Sequence, residues 1–434
     1  MKPILCKAQR MQLEGQFIER DAINKVVYDN QITAANEVVK NFMNGYNVNT
    51  LIGMMGSGKT NTFMYVSYLM CMNKDDKKII PKDNVYVLTG MSDLDWKVQT
   101  TKNFLPAFSQ NIYHRTNLKT LEKKWETKGS ISDTLIIVDE CHIGTKSDHT
   151  LSIFLQRWIK NVQYMIDNRV YLLLVSATPA NVLLDAENLN CHKKVFLKPS
   201  SIYKGLHFLH KNDLIKDSIS LCEPENVEEI ENVIKERWGD NNARYHIIRF
   251  PSALSKFQEM RAAAIVKAAI KDMCDKNDWK YELHTSEDRI KNIDDILSKK
   301  PSKHTFILIK NFWYCAKRLI VKWVGICYEN KCKAFDSNTI SQGLCGRFCG
   351  NYKEEIDVKK CPIFYSNLKG IEEYIDWIDN GCDYRAVEKY HSKNLTKIDE
   401  RVRIVPSFVT NIKKHVKMSR MDDSEEEIEE LELA

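Results

Sequence analysis

No apolar run in this chain approaches the roughly 20 residues that cross a bilayer. The opening segment, MKPILCKAQR, lacks the apolar stretch of a secretory signal. The expectation is therefore a soluble, intracellular protein with no membrane partner. The 13 cysteines contain no short C-x-x-C knuckle. Five of them (Cys327, Cys332, Cys345, Cys349 and Cys361) fall close together in sequence, which raises zinc. Without the knuckle, the better reading is reduced, buried thiols and no structural metal. No internal repeat and no nuclease motif is visible, so any nuclease function would have to come from a partner subunit.

At 434 residues the chain exceeds a single typical domain, and a hydrophobic fraction of 43% with 10% aromatics supplies cores for two or three. The net charge of +6 hides an asymmetry. The last 14 residues, MDDSEEEIEELELA, carry eight carboxylates and no Lys or Arg, so the preceding 420 residues carry +14. A body that basic favours a polyanionic partner, although ordinary solubility charge reads the same way. The tail reads as a solvated acidic extension.

The most informative stretch is Leu51 to Thr60, LIGMMGSGKT. Gly53, Gly58, Lys59 and Thr60 satisfy the phosphate-loop spacing G-x-x-x-x-G-K-[ST], with Gly56 and Ser57 inside it. Glycines let the backbone bend tightly and aim N–H groups at phosphate oxygens. Lys59 would reach the β- and γ-phosphates and Thr60 would ligate Mg²⁺. The preceding Leu51-Ile52 ends a strand, and Asn61 to Met70 forms a helix whose N-terminus favours an anion. The cofactors expected are ATP and Mg²⁺.

Strands are expected at Asn84–Thr89, Ile112–His114, Thr134–Val138 and Val170–Val175, with polar residues at their carboxyl ends. A helix is expected from Asp29 to Phe42, and residues 180 to about 205 read as irregular. A second domain begins near Tyr203, with strands at Tyr245–Phe250, Trp279–His284, Thr305–Ile309 and Val324–Tyr328. It also carries helices at Ala253–Cys274 and Ile340–Cys349. Strands alternating with helices predict parallel α/β sheets with the site along the carboxyl edge.

The third strand runs into Asp139-Glu140-Cys141-His142. Asp139 supplies a carboxylate for the Mg²⁺ shell and Glu140 one to polarise the attacking water, and His142 can couple that site to a neighbour. The fourth strand ends in Ser176-Ala177-Thr178, whose hydroxyls can bond to the carboxylate segment. Gln342 and Gly346-Arg347 follow about 200 residues after the carboxylates. An arginine that distant serves as a γ-phosphate finger only if a second domain folds over the first. Tyr28 and Gln31 precede the phosphate loop, as adenine contacts or as a simple N-terminal turn.

These pieces resemble superfamily 2 helicases. DECH resembles the DEAD/DEAH box, SAT the motif coupling hydrolysis to movement, and Gln31 the glutamine that contacts adenine. The stretches VLTGMSDLDWKVQT (87–100), LIIVDECH (135–142), TFILIKNFWYCAKRL (305–319) and SQGLCGRFCG (341–350) are most similar to the DEAD-like helicases of phages and large DNA viruses. The resemblance covers roughly residues 28–350. It implies two RecA-like domains in tandem, with ATP in the cleft between them and a nucleic-acid strand crossing both. The boundaries read as 1–202 for the first domain, 203–400 for the second and 401–434 for an extension. The chain departs from the family in two places. Gln342 lies four residues before Gly346 with Gly350 where a second arginine usually stands, and no Gly-x-Asp occurs near Lys310 to Arg318.

The strand is expected to be gripped through phosphate, with Thr89, Gly90, Arg115 and Arg249, along with Trp96 and His114 to Thr116, as contacts. The function expected is an ATP-dependent nucleic-acid helicase or translocase, with DNA slightly ahead of RNA. The alternatives are a translocating ATPase subunit of a nuclease or packaging machine, and a nucleic-acid-binding structural subunit with a decayed motor. The intact GSGKT and Asp139-Glu140 argue against decay.

Overall fold

TLIIVD at 134–139 and VYLLLVS at 170–176 are buried at every position, because both faces of the sheet to which they belong are covered. The computed structural model describes residues 27–72, 80–92, 94–104, 106–129, 131–144, 146, 148–250, 256–285, 287–310, 319–330, 335–352, 354–393, 395–398 and 401–409. The acidic tail, Cys332, residues 253–255 of the expected second-domain helix and the stretch 311–318 lie outside the described residues. Described residues through Ser201, with those from Arg403, form one unit; Ile202–Val402 form a second.

The sheet of the first unit contains β1 (Val48–Ile52), β2 (Val85–Leu88), β3 (Ile112–Tyr113), β4 (Thr134–Asp139), β5 (Val170–Ser176) and β6 (His192–Phe196). They lie in the order β3-β2-β4-β5-β1-β6 and are parallel throughout. Helices α1 (Asp29–Met43) and α2 (Lys59–Met72) pack on each other beside β1. On the other side of the unit, fully buried Trp125 meets Tyr86 edge-on at 5.1 Å and stacks with Phe154 at 5.0 Å. Truncating a buried aromatic of that size costs about 3–5 kcal/mol.

The segment expected to be irregular instead contains a helix, Ala180–Ala186, and the edge strand β6. HKKVF escapes notice because this edge strand buries only His192 and Val195, and because the first of these is polar: His192 Nε2 lies 2.9 Å from Thr50 Oγ1. The chain also returns to this unit near its end. Asp185 Oδ2 accepts hydrogen bonds from the amide (2.9 Å) and hydroxyl (2.5 Å) of Ser407, and Asn181 Nδ2 donates to the Val405 carbonyl at 3.1 Å. Phe408 and Val409 are fully buried in the core. Residues 405–409, read in sequence as part of a terminal extension, therefore pack as part of the first unit.

The second unit holds β7 (Ile215–Asp217), β8 (Tyr245–Arg249), β9 (Lys280–His284), β10 (Thr305–Ile309), β11 (Val324–Tyr328) and β12 (Ile363–Ser366). Their order is β9-β10-β8-β11-β12-β7, again all parallel. Two six-stranded parallel sheets in succession, each interleaved with helices, are the tandem RecA-like α/β arrangement expected for this chain.

The helix expected over Ile340–Cys349 is broken into Ser337–Ser341 and Leu344–Phe348. The break falls at Gly343, whose ψ of −152° is not helical. A Cβ on Gly343 would lie 2.4 Å from a carboxylate oxygen of Glu329, so the backbone approaches that carboxylate more closely than any side chain allows. Cys327, Cys345, Cys349 and Cys361 are buried thiols, and burial pushes the Cys361 thiol up to about 11.

Candidate nucleotide and nucleic-acid site

Strand order places the chemistry. One strand, β5, separates β1 from β4, with Ile52 in register with Ser176 and Asp139 with Val175. The phosphate loop, the Ser176 tip and the carboxylates therefore emerge side by side at one carboxyl edge of the sheet. Hydrogen bonds tie the three tips together: Gly53 N donates to the Ser176 carbonyl at 3.2 Å, and Cys141 N to that of Val175 at 3.0 Å.

Two loop glycines are needed for their backbone. Gly56 has φ +67° and Gly58 φ +99°, a region that side chains disfavour. Gly58 has a second constraint, since a Cβ there would lie 2.0 Å from Gln31 Nε2. Gln31 is buried on α1; its Nε2 faces the Ser57 carbonyl at 3.4 Å and its Oε1 accepts from Tyr28 N at 3.1 Å. The structure thus puts Gln31 against the phosphate loop itself. Lys59, at the first turn of α2, folds its Nζ onto the carbonyl oxygens of Gly53 (3.1 Å) and Met54 (3.5 Å). Thr60, next on α2, is half-buried.

At the end of β4, Asp139 Oδ1 accepts from the Glu140 amide at 3.0 Å, and Oδ2 accepts from the indole N–H of Trp96 at 2.9 Å. Burial pushes the Asp139 carboxyl up to about 7, and the charge of Glu140 adds to this. The Trp96 N–H, the Lys59 ammonium and the Glu140 amide oppose it. Glu140 sits at φ +49°, a left-handed conformation in a non-glycine residue, and its carbonyl accepts from Ile143 N at 2.8 Å to close a tight turn. His142 Nδ1 is 2.9 Å from Ser176 Oγ and 3.5 Å from Glu140 Oε2. Ser176 Oγ also accepts from the Thr178 amide at 2.9 Å. The carboxylates, His142, Ser176 and Thr178 therefore form one connected group, as the spacing of DECH and SAT predicts.

Two buried oxygens at this edge, Ser57 Oγ and Glu140 Oε2, have no hydrogen-bond partner among the described residues. Buried polar groups are rarely left so, and both lie on residues that the motif assigns to nucleotide chemistry. The donor set fits a nucleoside triphosphate with a divalent cation: loop amides and Lys59 for phosphate, Thr60 and Asp139 for the cation. Among the described residues no group of three or more His, Cys, Asp or Glu is placed to hold a metal ion. Mg²⁺ does not need one, because it keeps several waters and takes one or two protein ligands with substrate phosphates.

The expected strand contacts separate. Thr89 is fully buried, and its Oγ1 accepts from the Met91 amide at 3.4 Å. Gly90 is pressed against the turn after the carboxylates, where a Cβ would meet the Ile143 carbonyl oxygen at 2.1 Å. His114 is buried with Nδ1 2.8 Å from Thr116 Oγ1, and Arg115 beside it is exposed. Arg249 is buried at the end of β8 in an ion pair with Glu329, whose other oxygen accepts from Ser366 Oγ at 3.1 Å. Trp96 is only 3% exposed. Arg249 and Trp96, expected as strand contacts, each meet a buried carboxylate in the structure. Nothing in the sequence around Trp96 distinguishes an indole that faces a base from one that faces Asp139, 43 residues away.

In the second unit, Arg347 directs Nε (3.1 Å) and Nη2 (2.7 Å) at the carbonyl oxygen of Gln342, and Nε approaches that of Gly343 at 3.4 Å. Gln342 is buried, and its backbone carbonyl holds the arginine. Among the described residues, no helix is long and apolar enough to cross a membrane.

No family model matches the chain. An uncharacterized protein of Acanthamoeba polyphaga mimivirus is 26% identical over 371 residues, covering 82% of this chain and 88% of the relative. Among solved structures, a DEAD-box helicase bound to single-stranded RNA and a UDP–beryllium fluoride is 14% identical, with a TM-score of 0.46, covering 82% of this chain and 74% of that one. A fragment of a putative HsdR subunit of a type I restriction enzyme from Vibrio vulnificus is also 14% identical, with a TM-score of 0.45. It is covered over 65% of its length by 80% of this chain.

Proposed function

We propose that the chain is a nucleic-acid-dependent ATPase of the helicase type, which couples ATP hydrolysis to movement along a strand, with DNA ahead of RNA as substrate. The observation that carries this reading is the carboxyl edge of the first sheet. There the phosphate loop bonds to Ser176 and His142 links Ser176 to Glu140, while Ser57 Oγ and Glu140 Oε2 have no hydrogen-bond partner among the described residues. Lys59 and the loop amides bind the triphosphate, and Thr60 and Asp139 hold Mg²⁺, which when bound supplies charge neutralisation at the phosphates. Glu140 orients the attacking water, with its left-handed backbone fixing the carboxylate at the strand end. Arg347, held by the Gln342 carbonyl, is assigned a role in stimulated turnover. His142, Ser176 and Thr178 pass the state of the carboxylates to the rest of the first unit. Arg115 is the strand contact that the exposure pattern favours.

The test is turnover of ATP by the full chain with no nucleic acid, with single-stranded DNA, with single-stranded RNA and with duplex. Stimulation by a strand supports the reading, and a larger effect of DNA its preference. Nucleotide binding with no turnover under any condition would favour a decayed motor.

A further inference from the structure

The proposal here rests on the reading just given, in which Asp139 holds the cation. Asp139 is a buried carboxylate at a strand end, and among the described residues each of its oxygens receives one hydrogen bond: Oδ1 from the Glu140 amide and Oδ2 from the Trp96 indole. A carboxylate oxygen offers two acceptor positions, so one on each oxygen is left for water or cation. The Glu140 amide follows in the chain and moves with Asp139. Trp96 does not. It lies on the helix Leu94–Asn103, which touches α2, and its ring is almost wholly enclosed. An enclosed indole has one donor and few rotamers, so it fixes the plane of the carboxylate it bonds to.

The position of that helix adds a second link. It follows directly from Thr89 and Gly90, and Gly90 is packed against the Ile143 carbonyl and Gly144, the turn that closes DECH. The segment 89–103 thus touches the carboxylate box twice, once through the indole at Asp139 and once through backbone at Gly90.

We propose that Trp96 is a positioning residue for Asp139, holding its carboxylate in the orientation that accepts the divalent cation and making that orientation depend on where the 89–103 segment sits. Outer-shell hydrogen bonds of this kind change metal affinity by about 10–100-fold when removed. The role differs from simple core packing in what it predicts. A packing residue supports nucleotide binding equally with and without cation, whereas a positioning residue supports only the cation-dependent part.

The experiment measures binding of a fluorescent ATP analogue to the full chain by anisotropy, across a Mg²⁺ titration and in EDTA. It compares wild type with Trp96→Phe, which keeps an aromatic ring and removes the N–H. Trp125→Phe serves as control, since Trp125 is equally buried in the same unit but lies in the core away from the site. Trp96→Phe is expected to raise the Mg²⁺ concentration for half-maximal tightening by about tenfold, with affinity in EDTA unchanged within about twofold. Trp125→Phe should lower the melting temperature and leave the Mg²⁺ midpoint alone. If Trp96→Phe does not fold, a benzothienylalanine placed at 96 by codon suppression keeps the ring shape, replaces N–H by sulfur and should give the same shift. An unchanged Mg²⁺ midpoint in a folded variant overturns the proposal while the nucleotide site stands. Equal loss of affinity with and without Mg²⁺ overturns it as well, in favour of packing. If wild type itself binds no nucleotide, the proposed function falls and this proposal falls with it.

Discussion

At the scale of single residues, the two carboxylates and the loop lysine are separable by experiment. In the proposed mechanism Glu140 acts on water and not on the bound nucleotide, so Glu140→Gln should keep nucleotide affinity and lose turnover by orders of magnitude. Lys59→Ala should lose both. Titration calorimetry beside a steady-state assay distinguishes them, and wild-type turnover in Glu140→Gln would remove Glu140 from the mechanism. These residues are legible in the sequence because the motif fixes their spacing and chemistry. Arg249 and Trp96 are not, because a strand-end arginine or tryptophan reads the same whether it faces solvent or a buried carboxylate.

A buried histidine pair gives a second residue-level outcome. His246 Nδ1 accepts from the Ile326 amide at 3.2 Å, which leaves its proton on Nε2, 2.8 Å from His304 Nδ1; His304 Nε2 in turn meets the Gly239 carbonyl oxygen at 2.9 Å. Both rings are neutral in this chain of bonds. Burial holds both below the usual histidine value, helped at His246 by His304 and Arg244 and opposed at His304 by the Gly239 carbonyl and Asp240. A base whose folded value is lowered contributes fully above its unfolded value of about 6.5, and the contribution is lost as pH falls from there. Asp139, raised in the fold, works in the opposite direction. The histidine part is therefore read as the difference between wild type and His304→Gln in urea unfolding from pH 7.5 to 5. That difference should shrink towards acid, and a constant difference would count against the neutral pair.

At the scale of elements, the sequence announces what is buried on both faces and obscures what is not. β4, β5, β10 and β11 stand out because they are buried at every position, with Asp139 and Ser176 as the polar ends of β4 and β5. The edge strand β6 is only partly buried, and the short β7 and β12 offer too few residues to show a period. The need for glycine at 343 is invisible in sequence for another reason: the carboxylate it makes room for, Glu329, lies just beyond β11. Gly343→Ala forces a methyl against that carboxylate and should cost about 1–3 kcal/mol, as overpacking typically does. It should also disturb the Gln342 carbonyl that holds Arg347. Nucleotide binding is expected to survive while stimulated turnover falls; unchanged stability and turnover would show that Glu329 simply moves aside.

At the scale of the whole molecule, the return of residues 405–409 makes the first unit discontinuous in sequence. Phe408→Ala should therefore destabilise the first unit by about 3–5 kcal/mol, as buried aromatic truncations do, although Phe408 lies far beyond that unit's last strand. A fragment ending near Ser201 should be equally impaired, and a separate peptide spanning 403–409 should restore part of its melting temperature. A fragment as stable as the full chain's first transition would show that the returning segment is dispensable.

This discontinuity has a consequence for synthesis. On the ribosome, the sheet carrying the phosphate loop is complete once residue 201 has emerged, yet Phe408 and Val409, which fill its core, follow only after the ~200 intervening residues have been translated. At about 5–20 residues per second that is a wait of about 10–40 s. During that interval the first half exposes an apolar socket beside Asn181 and Asp185, and the second half has time to fold alone. The nascent chain would then close its first domain last, so messages truncated before codon 408 yield a product with its core still open.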